Sequence, residues 1–99
     1  MKIQFESVHF TANQKLLDHM TKKLEKLGQF HNRIISCNVT LKQGAAKTVK
    51  DKIVEVNIAI PGDVIFAKKV DTSFEAAVDD LVGSLRRQLI KKKEMERAH

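Results

Sequence analysis

The hydrophobic period of this chain switches between helical and strand-like spacing, and that switching limits its fold more than any other feature. Over residues 35–42 the alternation is strict. Ile35, Cys37, Val39 and Leu41 point one way, and Ser36, Asn38, Thr40 and Lys42 point the other. A second run sets Val54, Val56, Ile58 and Ile60 against Ile53, Glu55, Asn57 and Ala59. A period of two describes strands with one face in a core. On either side of these runs, apolar residues recur at intervals of three and four, as one face of a helix requires. Leu16, Met20, Leu24 and Leu27, with Leu17 beside them, form one such stripe. Phe74, Ala77, Val78, Leu81, Val82, Leu85 and Leu89 form the other.

The breaks between these segments complete the order. Residues 2–8 read as a strand, with Ile3 and Phe5 alternating against Lys2, Gln4 and Glu6. Thr11-Ala-Asn-Gln14 has the form of a capping box opening the first helix, and Gly28 is its expected stop. Residues 43–48, with Gly44, read as a loop. Pro61-Gly62 reads as the turn of a hairpin into residues 63–70. In that last strand either Val64 and Phe66 or Ile65 and Ala67 could face inward, and the pattern leaves its register open. Thr72 or Ser73 caps the final helix, with Thr72-x-x-Glu75 as a second capping box. The order is β-α-β-β-β-α. The expected class is α+β: a four-stranded, mostly antiparallel sheet with both helices packed on one face. The expectation is a single domain over residues 1–99.

Ninety-nine residues suit one core. With 42% hydrophobic and 30% charged residues the chain is globular rather than disordered. Five Phe and no Trp or Tyr make that core mostly aliphatic. No apolar run approaches membrane-spanning length, and Met1-Lys-Ile-Gln-Phe-Glu lacks a signal-peptide core. One cysteine excludes an internal disulfide framework. A cytoplasmic location is the simplest expectation.

Catalytic constellations are missing. There is no Gly-rich phosphate loop, His-Glu-x-x-His or paired-cysteine motif. His9, His19, His31 and His99 lack metal-ligand spacing and read as surface or partly packed residues. Cys37, alternating with apolar neighbours, reads as a small buried residue rather than a nucleophile. Asp79 and Asp80 project about 100° apart on a helix, which opposes a paired-carboxylate site. The chain is expected to be no enzyme and to take no cofactor, metal or small-molecule substrate.

Charge is the positive clue. The net charge is +6, and residues 1–35, 36–72 and 73–99 each hold six Lys or Arg, so the excess belongs to a face of the fold rather than to a tail. Residues 73–83 carry three acids and no base, whereas residues 84–93 carry five bases and no acid. A helix dipole favours such sorting, but only within the terminal turns. If the helix runs to about Glu94, the dipole covers Lys91, Lys92 and Lys93 but not Arg86 and Arg87. Arg87 and Lys91 share the exposed side, Arg86 and Lys93 flank the apolar stripe, and Lys92 continues the stripe as though the helix had passed the sheet edge. The pairs Arg87/Lys91 and Lys22/Lys26 each carry an i,i+4 repulsion of roughly 0.2–0.5 kcal/mol. Two basic helices form a surface suited to phosphates. RNA is favoured over DNA because no helix-turn-helix or zinc module is present. The aromatic pattern of sheet-based RNA readers is also absent, which weighs against base stacking on the sheet. A membrane surface would require the Leu/Val stripe that the core needs.

Two segments carry a family resemblance. One runs from Val8-His-Phe-Thr-Ala-Asn-Gln-Lys-Leu through Lys23-Leu-Glu-Lys-Leu-Gly-Gln-Phe30 to Arg33-Ile34. The other runs from Phe74-Glu-Ala-Ala-Val-Asp79 through Leu85-Arg-Arg-Gln-Leu-Ile-Lys91. With the element order, they make residues 5–94 resemble the short form of the ribosome hibernation promoting factors, relatives of the ribosome-associated translation inhibitors. The resemblance implies binding to the small ribosomal subunit and its rRNA, between head and body, on the mRNA and tRNA path at the decoding centre. It further implies blocked initiation in stationary phase, ribosome pairing together with a separate modulation factor, and no C-terminal dimerisation domain of the kind long forms carry. The rRNA-binding residues it implies here are Lys22, Lys23, Lys26, Arg33, Arg86, Arg87, Lys91, Lys92 and Lys93. Glu75 and Ser84 stand where such proteins often have Tyr and Lys, so contacts at those two positions do not carry over. Two other readings stay open: a protein-directed regulator of transcription acting on sigma-54, and a binder of free double-stranded RNA.

Overall fold

The computed structural model describes residues 1–44 and 50–97. Its elements are β1 (Lys2–Ser7), α1 (Gln14–Glu25), β2 (Ser36–Gln43), β3 (Lys52–Ile60), β4 (Asp63–Asp71) and α2 (Phe74–Arg97), with a 3-10 turn at Lys26–Gln29 after α1. The strands lie in sequence order in one sheet. β1 is parallel to β2, and the β2/β3 and β3/β4 pairs are antiparallel. Both helical stripes are buried on one sheet face. Leu16, Met20, Leu24 and Leu27 meet Val39, Leu41, Val54, Val56 and Ile58 from the sheet and Ala77, Val78, Leu81, Leu85 and Leu89 from α2. This is the expected α+β architecture. The α2 stripe packs into the core, with Val82 partly buried at its margin.

Strand connectivity dictates the helix directions. Because β1 and β2 are parallel, α1 must run back against them. β4 is again parallel to β2, so α2, which follows it, runs back the same way. α1 and α2 therefore lie parallel, and their contacts keep chain order: His19 meets Asp79 at 3.2 Å, and further along His31 meets Glu96 at 3.3 Å. The C-terminal ends of both helices, the starts of β1, β2 and β4, and the Pro61-Gly62 turn consequently share one end of the molecule.

Local chemistry departs from the sequence reading at several points. Asn13, not Thr11, caps α1: its Oδ1 accepts the Leu16 N–H at 2.8 Å. Of the two caps the sequence offered for α2, Ser73 takes the role, its Oγ accepting the Ala76 N–H at 3.1 Å, while the Thr72 N–H turns back to Asp71 at 2.7 Å. In both cases a donor-hungry helix start took the nearest side-chain oxygen three residues upstream. Gly28 is not a terminator but sits within the 3-10 turn that tightens the end of α1. Ile35 keeps the parity of Cys37 but precedes β2 and is 61% exposed. The register of β4 is resolved. Ile65 and Ala67 face the helices, whereas Val64 and Phe66 are exposed on the open sheet face. Pro61-Gly62 makes the expected turn, with Gly62 at φ +78°, where a side chain would be strained. Residues 45–48 of the expected loop, and His99, lie outside the described residues.

Candidate nucleic-acid interface

Parallel helices put the two basic groups side by side. Lys22 projects from the last part of α1, Lys26 from the 3-10 turn that follows it, Arg33 from the next loop, and Arg86, Arg87 and Lys91 from α2; all six are exposed, and Lys93 on α2 is half-buried. None of these seven cations makes an ion pair among the described residues. Charges left unpaired on a rigid surface keep their full field for an external anion.

The other two expected residues are engaged. Lys23 Nζ lies 3.9 Å from Asp79, which also takes His19. Lys92 turns off the basic surface to pair with Asp63 at the start of β4. The Lys92 ammonium, with a backbone bond from the Val64 N–H at 2.8 Å, holds the Asp63 carboxyl below the usual carboxylate range. Lys92 thus lies level with the hairpin, and Met95 and Glu96 line the same hollow as Ile60 and Pro61, so α2 has not left the sheet edge at Lys92 as its place on the stripe suggested.

The helix dipole explains less of the basic block than a shorter helix would allow. α2 extends to Arg97, so its terminal turn is Glu94-Met-Glu-Arg97, with two acids and one base by sequence where a C-terminus favours cations. Lys91 and Lys92 lie inside that turn rather than in it.

Two positioning contacts were not visible in the sequence. The Arg86 guanidinium sits 4.8 Å from the centre of the Phe30 ring, a cation–π contact that bridges the end of α1's turn to the middle of α2. His31, read from sequence as a surface or partly packed residue, is 2% exposed. Its Nδ1 accepts the Arg33 N–H at 3.1 Å, so Nε2 carries the proton and donates to Glu96 at 3.3 Å. One ring fixes the backbone beneath Arg33 and ties that loop to the end of α2. Only a topology, not a spacing, could have brought residues 65 positions apart together.

Among the described residues no cluster of three His, Cys, Asp or Glu could hold a metal ion, and no helix is long and apolar enough to cross a membrane. Cys37 is fully buried, as its alternation predicted, and burial pushes its thiol up to about 11.

Comparison with known proteins agrees with this geometry. The family model described as sigma 54 modulation protein / S30EA ribosomal protein matches residues 3–97. The chain is 34% identical to the ribosome hibernation promoting factor of Klebsiella oxytoca over the full length of both, and 29% identical to that of Pseudomonas putida over 99% of this chain and 92% of the relative. A ribosomal subunit interface protein from Coxiella burnetii superposes with a TM-score of 0.83 at 26% identity, covering 95% of this chain and 99% of that one. By its sequence match along nearly its whole length and by its fold, the chain belongs to the ribosome hibernation promoting factor family, whose members are binding proteins rather than enzymes.

Proposed function

We propose that this chain silences ribosomes by seating its basic end on rRNA of the small subunit, between head and body, where its bulk occludes the mRNA and tRNA path at the decoding centre. The observation that carries this reading is the presence of seven unpaired cations along the later parts of two parallel helices and the loop after the first. Lys22, Lys26, Arg33, Arg86, Arg87, Lys91 and Lys93 take the phosphates, and Lys23 joins them where a phosphate outcompetes Asp79. Lys92 supports the surface through Asp63. Arg serves here better than Lys would, because a planar guanidinium binds phosphate with two parallel bonds. The work belongs to stationary phase or stress in the cytoplasm, in concert with a separate modulation factor where ribosomes pair.

Co-sedimentation with purified small subunits at low salt tests the reading. If about six phosphates are contacted, the log–log salt slope is near −4, at about −0.7 per contact. Replacing Arg86, Arg87 and Lys91 with Glu abolishes co-sedimentation while the thermal melt stays nearly unchanged, since all three side chains are exposed. Retained binding in that variant would overturn the assignment.

A further inference from the structure

The helices cover one face of the sheet, and the other face is open. Strand pairing aligns Gln4, Asn38, Asn57 and Phe66 in a single row across all four strands of it. Side chains in one such row share a face and stand about 5 Å from their neighbours. Phe66 is 49% exposed, and the Gln88 amide donates to its carbonyl at 3.2 Å, which fixes the edge strand at that residue. None of the three carboxamide side chains makes a hydrogen bond among the described residues. A shallow depression of about 220 Å³ lies beside Gln4 and Asn38.

From this row we infer a second RNA-binding surface that does without the paired aromatics of sheet-based RNA readers: Phe66, whose facing the sequence left open, is a stacking platform for one unpaired base of single-stranded RNA. A phenyl ring offers a face to any base, and adjacent carboxamides can both donate to and accept from a base edge. Charge favours the same occupant. The row on one side holds Lys2 and no acid, the row on the other holds Glu6, Glu55 and Lys68, and the face as a whole carries Lys2, Lys42 and Lys68 against Glu6 and Glu55, a small positive excess. Glu55 is already neutralised by Lys42 at 3.2 Å. A second copy of this chain would bring another +6 body, whereas a nucleic-acid strand brings the opposite sign. Lys2 stands at the start of β1, at the end of the molecule where the cations gather, so a strand held there can pass around onto the open face. The platform uses residues distinct from the basic end and stands or falls separately from it.

The test is fluorescence anisotropy with a labelled 12-nucleotide single-stranded RNA of mixed sequence, with the variants compared at each step of one salt series. Phe66→Ala weakens binding at least fivefold, Phe66→Trp retains or tightens it, and neither changes the salt slope, since the ring touches no phosphate. Ultraviolet crosslinking of the same oligonucleotide to the wild-type protein labels the tryptic peptide that contains Phe66. Equal affinity of Phe66→Ala and wild type, with crosslinks confined to the helices, overturns the platform and leaves subunit binding through the basic end untouched. A wild-type dimer in sedimentation velocity that Phe66→Ala dissolves, with RNA affinity unchanged, overturns it equally and makes the face a protein interface.

Discussion

The guanidinium of Arg86 on α2 lies over the ring of Phe30, just past the end of α1, at 4.8 Å from its centre. That contact holds a cation of one helix against the other and keeps it open to solvent on its outer side. Phe30→Leu keeps an apolar side chain against the core but removes the π face. It should weaken small-subunit binding by about two- to fivefold, the equivalent of ~0.5–1 kcal/mol of cation–π interaction at an exposed site. The midpoint of thermal unfolding should fall only slightly. Unchanged affinity with a lowered midpoint would make Phe30 a packing residue and nothing more.

Adjacent lysines should behave differently. Lys91 is exposed and unpaired, whereas Lys92 is committed to Asp63. Lys91→Ala should reduce the magnitude of the salt slope by about 0.7, one phosphate contact, and Lys92→Ala should leave it nearly unchanged. Parallel titrations of binding against salt for the two variants check this. Equal reductions would mean that Lys92 abandons Asp63 in the complex.

Acid should expose the Lys92–Asp63 pair. The folded carboxyl of Asp63 titrates below its unfolded value because of Lys92, so the contribution of the pair is present above the unfolded pKa of about 3.9 and is lost as pH falls through the lower folded value. Lys92→Met removes the cause and should flatten this part of the acid limb of the stability curve, while the neutral-pH fold is retained. Urea melts of wild type and variant between about pH 2 and pH 5 read the difference, and identical acid limbs would assign the stabilisation elsewhere.

Within α2, Gly83 is a weak point for stability. A Cβ at that position meets only Nη1 of Arg87, at 3.6 Å, an ordinary contact with the mobile end of a side chain. Gly83→Ala should therefore stabilise the protein by about 0.5–1 kcal/mol through helix propensity. At roughly 4–8 °C per kcal/mol for a domain this size, the midpoint should rise by a few degrees. A fall would show that Arg87 needs the bare glycine surface to lie along the helix.

The two periods carried almost all of the fold. Cys37, Val39, Leu41, Val54, Val56, Ile58 and Ile60 are buried as their alternation required, and both helical stripes are core. Where a period was ambiguous the sequence had no lever. β4 offered two apolar pairs, and its register was settled by β3, which sets Ile58 beside Ile65 and Asn57 beside Phe66. The first cap slipped from Thr11 to Asn13, and the second was left between Thr72 and Ser73, because adjacent Thr, Asn and Ser side chains compete to accept the first helix donors; geometry chose Asn13 and Ser73. For the site, residue type and exposure were legible for Lys22, Lys26, Arg87 and Lys91. Their union was not, since it follows from the parallel run of α1 and α2, a property of strand connectivity. Pairings such as Lys92 with Asp63 and His31 with Glu96 are long-range and leave no periodic trace.

Cys37 should act as an alkaline and chemical reporter of opening. It is fully buried near the start of β2, and burial raises its thiol from 9.0 to about 11. Below the unfolded value both states keep the proton, and stability is unaffected by this group. Between about pH 9 and 11 the unfolded chain ionises while the folded thiol stays protonated, so stability falls with rising pH, by about 2–3 kcal/mol over the whole window at one proton. Cys37→Ala should lower the neutral-pH midpoint through lost packing but remove that alkaline slope. At neutral pH a thiol reagent should label the wild type at a rate that tracks global unfolding across a urea series, because the thiolate is the reactive form and the core must open to produce it. Fast labelling in water, independent of urea, would show that the start of β2 opens locally and not only with the whole core.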